Sequence, residues 1–150
     1  MRIYLPVTPA EHAALRSGAA ALELPAGRAA WAVHASARAD RPGEDPEDLE
    51  YDALQDAVHV ALTSGPQDDP DRRALVVAGD VPDGAVVESA EEGGAYGIEL
   101  AAPASLRIAA LHVSELGARA VDADDTDPAL LWFDASEGAA ALDYAEAPSR

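Results

Sequence analysis

The chain has 150 residues, and its 28 Asp and Glu face only 10 Arg and no Lys, which gives a formal net charge of −18. A surface this acidic repels phosphate backbones and anionic lipid headgroups, so the composition argues against nucleic-acid and membrane partners. Because the chain contains no cysteine, disulfide bonds, thiol nucleophiles and thiolate metal sites are all excluded.

The chain opens with the patterns of a strand and a short helix. Residues 2–6 alternate and are rich in strand-forming side chains, which predicts a first strand. Thr8, Pro9 and Glu11 are the residue types of a helix N-cap, a first helical position and a capping box. Gly18 predicts the end of this helix, because glycine readily adopts the left-handed conformation that closes one.

A second strand is predicted over residues 30–36. Period-two alternation places Trp31 and Val33 on one face of this strand and Ala32 and His34 on the other. The polar residues 38–45 that follow predict a loop.

The strongest helical pattern begins at Asp45, with a proline at the first helical position and acidic residues in the first turn. It ends before Gly65. Polar residues such as Asp52 and Gln55 lie off the apolar stripe. By helical spacing, the buried stripe consists of Tyr51, Leu54, Val58, Ala61 and Leu62.

The second half of the chain is mostly strand. Residues 73–78 and 106–114 predict buried strands, and residues 86–87 and 96–101 predict a hairpin. Residues 117–127 predict an acidic, irregular insert, 130–133 a last apolar segment, 134–137 a helix cap, and 147–150 a frayed terminus. We expect Trp31 and Trp132 to anchor the core, since this alanine-rich chain has few large side chains.

The order of elements predicts an α+β fold in a single domain over residues 1–150. We expect a mixed, mostly antiparallel sheet with the two main helices on one face, and a ferredoxin-like variant is one topology that fits. No apolar stretch approaches the ~20 residues of a membrane span, and no signal-peptide pattern follows the first strand. These observations predict a cytoplasmic protein.

Five segments, taken in order, carry a resemblance. They are residues 1–6 (MRIYLP), 49–54 (LEYDAL), 76–82 (VVAGDVP), 110–113 (ALHV) and 130–133 (LLWF). As a set they resemble a family of small actinobacterial proteins of unknown function, over most of the chain, with the acidic insert as a variable region. The resemblance implies a bacterial cytoplasmic protein and brings no activity with it.

The first strand carries the best candidate ligand-binding residues. Arg2 and Tyr4 share one of its faces by alternation. If that face is open, they are able to contact an anionic or aromatic ligand, with His34 or His112 supplied by neighbouring strands. The alternative is that Tyr4 packs in the core while Arg2 extends to a carboxylate.

No metal or cofactor is predicted. His12, His34, His59 and His112 lack the spacing of a zinc site. The acidic run at 122–127 lacks the glycine and the glutamate that a calcium loop requires at its sixth and twelfth positions.

The absence of a complete catalytic constellation favours a non-enzymatic module that binds a protein or a small ligand. The alternative is a small enzyme that acts on an anionic metabolite through Arg2, Tyr4 and a strand histidine. Convergence of those side chains in one concave pocket favours the enzyme. Burial of Tyr4 under a helix, with the histidines scattered, favours the binding module.

Overall fold

The computed structural model describes residues 1–64, 71–89, 94–122 and 127–147. Within these ranges, eight strands form one sheet and every strand pairing is antiparallel. The strands are β1 (Arg2–Pro6), β2 (Ala21–Leu24), β3 (Ala29–Trp31), β4 (Arg73–Asp80), β5 (Val86–Glu88), β6 (Gly97–Leu100), β7 (Ala104–Gly117) and β8 (Leu130–Asp134). The helices are α1 (Pro9–Arg16), α2 (Ala35–Asp40), α3 (Pro46–Thr63), α4 (Ala118–Asp122) and α5 (Gly138–Glu146). The predicted α+β class is confirmed.

The strand order is β2-β7-β4-β1-β3-β6-β5. Strand β7 is long enough to pair with two strands along one side, β2 near its start and β8 further on. Strands β5 and β6 form the predicted hairpin. At the centre, β4 lies between β1 and β7, and its Val76 and Val77 are fully buried although they point to opposite faces.

Helices cover both faces of the sheet. On one side, which we call the α1–α5 face, Leu15 and Leu142 pack against Ile3 and Leu5 of β1. The other side is the α3 face. There the side chain of Tyr4 joins a cluster built from α2, α3 and α4. The prediction that both main helices share one face was therefore wrong: the central strands are apolar on both sides, so both sides need a covering layer.

The helix termini follow their local sequence signals. The backbone N–H of Thr8 donates to Glu11 Oε1 at 3.0 Å, as the capping residues of α1 predict. Asp45 caps α3 by accepting from the N–H of Glu47 at 2.9 Å. Gly18 follows the end of α1 with a φ of +75°, a conformation that suits glycine.

Two segments differ from their predicted local structure. The strand predicted over 30–36 ends at Trp31, and residues 35–40 form α2 instead of a strand end and a loop. The irregular insert predicted over 117–127 begins with a helix, α4, while residues 123–126 lie outside the described ranges. Strand β2 had not been predicted. Of the terminus expected to fray, only Ala147 is described, and its carbonyl accepts from Arg73 at 2.7 Å.

Burial on α3 and β8 departs from the predicted core. Leu54 and Val58 are buried as expected, but Tyr51 is 47% exposed and Gln55 is buried. Trp31 is buried, whereas Trp132 is 62% exposed because β8 lies at the edge of the sheet. Position in the strand order, rather than residue type, separates the two tryptophans.

Candidate ligand-binding site

A cavity of about 310 Å³ opens on the α3 face at the N-terminal end of β1. We call it the Arg2–Arg38 cavity. Its lining comes from β1, α2, α3, Val33 and the 3₁₀ turn (Asp83–Ala85) that follows β4. The lining residues are Met1, Arg2, Val33, Arg38, Glu50 and Asp83. The volume falls within the ~300–1,000 Å³ that is typical of small-molecule sites.

Strand register holds Arg2 at the cavity. Arg2 pairs directly with Asp80 across β1 and β4, and its guanidinium donates to both carboxylate oxygens, at 3.0 and 3.3 Å. This hydrogen bond raises the pKa of Arg2 and lowers the pKa of Asp80. Both side chains stay partly exposed, so the guanidinium is oriented by Asp80 and still accessible from the cavity.

Tyr4 shares the α3 face with Arg2 but packs in the core, where it is 6% exposed. Burial raises the pKa of Tyr4 to about 12, and the nearby Glu50 carboxylate acts in the same direction. The phenol is therefore protonated at neutral pH. It is suited to donate a hydrogen bond and unsuited to act as a base.

The remaining charged groups of the cavity carry both signs. Arg38 forms no ion pair with any residue in the described ranges. Asp83 accepts from the Met1 amino group at 2.9 Å, which lowers the pKa of Asp83. Glu50 is exposed on the first turns of α3. The cavity thus offers guanidinium donors beside carboxylate acceptors.

We predicted that His34 lies in a strand. In the structure it has a different position and a structural role. It caps α2, and its Nδ1 accepts from the N–H of Ala37 at 3.3 Å. The same nitrogen lies 3.0 Å from Glu88 Oε1, and Glu88 also accepts from the hydroxyl and N–H of Ser36, which lowers the pKa of Glu88. Because the chain turns into α2 here, His34 does not extend the sheet.

His112 does lie in a strand, β7, on the α3 face and directly opposite Trp132 of β8. It is half-buried. Burial lowers the pKa of His112, and the positive charge of Arg2 lowers it further. The ring is therefore neutral at pH 7, and it does not line the Arg2–Arg38 cavity.

The structure thus brings together only part of the predicted set. Arg2 lines the cavity, Tyr4 and His112 lie within electrostatic range of Arg2 without lining the cavity, and His34 caps α2. The other two histidines lie on helices: His59 is exposed on α3, and His12 is half-buried on α1.

Sequence reasoning missed the three charged side chains that line the cavity with Arg2. Glu50 is a polar residue outside the apolar stripe of α3, which is consistent with its exposure. Asp83 lies in a Pro-Asp-Gly turn, a signal for a turn but not for a site. Arg38 had been assigned to a loop, and no local pattern marks it as a cavity residue.

Two other cavities are smaller, at about 180 Å³ each. One is lined by His12, Arg72 and Arg73, but both arginines donate to backbone carbonyls near the ends of α3 and α5. In the part of the chain that the structure describes, no group of three or more His, Asp or Glu is arranged to hold a metal ion. No helix in those ranges is long and apolar enough to cross a membrane.

Three comparisons with known proteins complete this description. Neither the curated proteins nor the solved structures gave a match to the chain. The comparison with protein families gave a match that covers nearly the whole sequence. This match confirms the resemblance seen in the sequence. The actinobacterial origin and the cytoplasmic location stay predictions. The model of the Family of unknown function (DUF6912) matches residues 1–142, and the chain belongs to that family.

Proposed function

We propose that this protein is a non-enzymatic binding module that holds a small metabolite with an anionic group in the Arg2–Arg38 cavity. One observation carries the proposal. Arg38 lines a cavity of ligand size and makes no ion pair within the described ranges, although carboxylates outnumber arginines by 28 to 10. A guanidinium that lines a cavity and forms no close ion pair with a described carboxylate is available to an anionic ligand.

The two arginines differ in how they would contribute. Arg2 is oriented by Asp80 and supplies a fixed set of donors. Arg38 supplies a guanidinium that forms no ion pair in the described ranges, although its charge acts on Asp83. The planar fork of a guanidinium matches the two oxygens of a carboxylate or phosphate. We therefore infer that the anionic group of the ligand contacts both side chains.

The carboxylates of the cavity narrow the class of ligand. Glu50 and Asp83 line the same space and would repel a compact, highly charged anion. They would accept hydrogen bonds from hydroxyl or amino groups. The lining therefore favours a small molecule with one anionic end and hydrogen-bond donors elsewhere.

Two features favour binding over catalysis. Tyr4 is buried beside α3 with a pKa of about 12, so its phenol is not a base at neutral pH. The histidines lie on α1, at the start of α2, on α3 and in β7, so the described residues show no histidine beside Arg2 in the cavity. The enzyme alternative requires that convergence.

Thermal unfolding in the presence of small anions tests the proposal. The probe is glycerol phosphate, which has one anionic end and hydroxyl donors. Inorganic phosphate and citrate serve as compact, highly charged comparisons, and each is measured against NaCl at matched ionic strength. A ligand that binds the folded state stabilises it by about 2.7 kcal/mol at a concentration of 100 Kd. We expect glycerol phosphate to raise the Tm of the native protein beyond the NaCl effect.

Two arginine variants show whether the effect comes from the cavity. Arg38→Gln removes the charge that lines the cavity. Arg119→Gln is the matched control, since Arg119 is an exposed arginine on α4 without an ion pair in the described ranges. We expect Arg38→Gln to abolish the rise in Tm and Arg119→Gln to keep it. Equal loss in both variants, or no rise with glycerol phosphate, would reject the site.

A further inference from the structure

One side of the β8 backbone has no strand partner in the part of the chain that the structure describes. Within the described residues the strand pairs with β7 alone. The N–H of Glu115 donates to the carbonyl of Ala129 at 2.9 Å, so these two residues form a hydrogen-bonded pair. Antiparallel alternation then turns the N–H and C=O groups of Leu130 and Trp132 away from β7. The open edge therefore presents backbone donors and acceptors to an incoming strand.

One exposed aromatic side chain lies on this edge strand, and a second lies near its start. Trp132 is 62% exposed and points to the α3 face together with His112. Tyr51 of α3 is also exposed, and its hydroxyl donates to Asp127 Oδ2 at 3.4 Å, just ahead of β8. Leu130 packs partly against the core on the α3 face. Tryptophan is one of the residue types that are enriched at protein–protein interfaces.

Strand β5, which lies at the opposite end of the strand order, offers a comparison. It has three residues against the five of β8, and its exposed apolar side chain is Val87. Short edge strands resist pairing with other chains. The longer β8 with its tryptophan is the better platform for an added strand.

The negative charge of the chain and of the residues around β8 favours a basic partner over a second copy of the chain. A second copy of the chain would bring two molecules of net charge −18 edge to edge, and their repulsion opposes such pairing. The exposed residues around β8 include the carboxylates Glu115, Asp127 and Asp134. They complement arginine or lysine, and a cation is also attracted to an exposed indole face.

We propose that β8 binds an extended, arginine- or lysine-bearing segment of another protein, which adds to the sheet as a further strand beside Leu130 and Trp132. Backbone hydrogen bonds to these two residues would supply affinity, as in other cases of strand addition. Trp132 and the surrounding carboxylates would select basic side chains.

Binding of a defined peptide tests this surface. The probe is a labelled synthetic peptide that alternates valine and arginine, and a second peptide carries glutamate in place of each arginine. Fluorescence anisotropy at about 0.15 M NaCl, where long-range attraction is screened, measures the affinity. We expect the arginine peptide to bind and the glutamate peptide not to bind.

Two edge variants separate this site from general attraction to an acidic surface. Trp132→Thr keeps a strand-forming residue and removes the indole, whereas Val87→Thr makes the matched change on β5. We expect Trp132→Thr to bind the arginine peptide at least about tenfold more weakly than the native protein does. Val87→Thr should bind it with native affinity. Amide hydrogen exchange should show new protection at Leu130 and Trp132 on binding, and none at Val87.

Several results would overturn the proposal. Equal affinity of both variants for the arginine peptide would mean that it binds the acidic surface in general. Absence of binding would reject the surface. Sedimentation that shows a native dimer, lost in Trp132→Thr, would make a second copy the occupant of the edge.

Discussion

Gln55 offers the sharpest test of how the α3 face is packed. It is buried on the inner side of α3, and its Oε1 has no hydrogen-bond partner in the described part of the chain. A buried acceptor without a partner loses its hydration and gains nothing in return. The substitution Gln55→Met keeps an unbranched side chain of similar length and replaces the amide with an apolar end.

The expected gain follows from the cost of that orphan oxygen. Leaving a buried polar atom without a partner costs about 1–3 kcal/mol. Methionine has similar flexibility and adapts to an irregular space, so little packing energy should be lost. We expect Gln55→Met to raise the free energy of unfolding by about 1 kcal/mol, which corresponds to about 2–4 °C in Tm for a chain of this size.

Urea unfolding followed by circular dichroism measures the difference. The m-value should stay unchanged, because the surface exposed on unfolding is nearly the same. His59→Met is the control, since His59 is exposed on the same helix, and it should change stability by less than about 0.5 kcal/mol. If Gln55→Met is clearly less stable than the native protein, the amide oxygen has a partner, such as an ordered water, and the reasoning fails.

The other predictions concern one helix contact and two titrating groups. Gly138→Ala should destabilise by about 1–3 kcal/mol in a thermal melt, because its Cβ would lie 2.5 Å from a carbonyl oxygen of α1. Gly84→Ala, with nothing within 4 Å, should have little effect, and equal melts would contradict the α1–α5 contact. Arg2 lowers the pKa of Asp80 below the unfolded value of 3.8, so the ion pair stabilises the fold above that pH and is lost as pH falls through the folded pKa. Asp80→Asn should therefore be less stable than the native protein at pH 7, and the two unfolding curves should converge in acid; a constant gap would refute this. Burial lowers the pKa of His112 below 6.5, so the native protein should lose stability relative to His112→Gln as pH falls below that value. Parallel urea midpoints of the two proteins across this pH range would show that the ring is not buried.

Much of the local structure was predictable because its causes are local. Proline at the first helical position and an Asp cap define the start of α3, and the spacing of Leu54 and Val58 defines its buried side. The β5–β6 hairpin follows from short-range pairing. By contrast, α2 and β2 are short, and segments of this length carry too few periodic positions to be distinguished from loops.

The type of a residue also did not predict whether it is buried at positions where the neighbouring elements decide its exposure. Trp31 and Trp132 look alike in the sequence, yet one lies in the core and the other on the edge strand β8. Asp52, which had been placed on the free polar side of α3, pairs with Arg41 at 2.9 Å. These outcomes depend on which element lies next to which, and hydrophobic periodicity does not contain that information.

The sequence by itself determined the charge of the chain, the starts of α1 and α3, its strand-rich second half and its family. The candidate site was decided by the tertiary structure, because its residues are far apart in the chain. Arg2 meets Asp80 only through the pairing of β1 with β4, and the same pairing brings Asp83 to the cavity that Arg38 and Glu50 complete from α2 and α3. Long-range strand pairing and the packing of helices on both faces of the sheet bring these charges together. A local sequence pattern does not predict such contacts between distant residues.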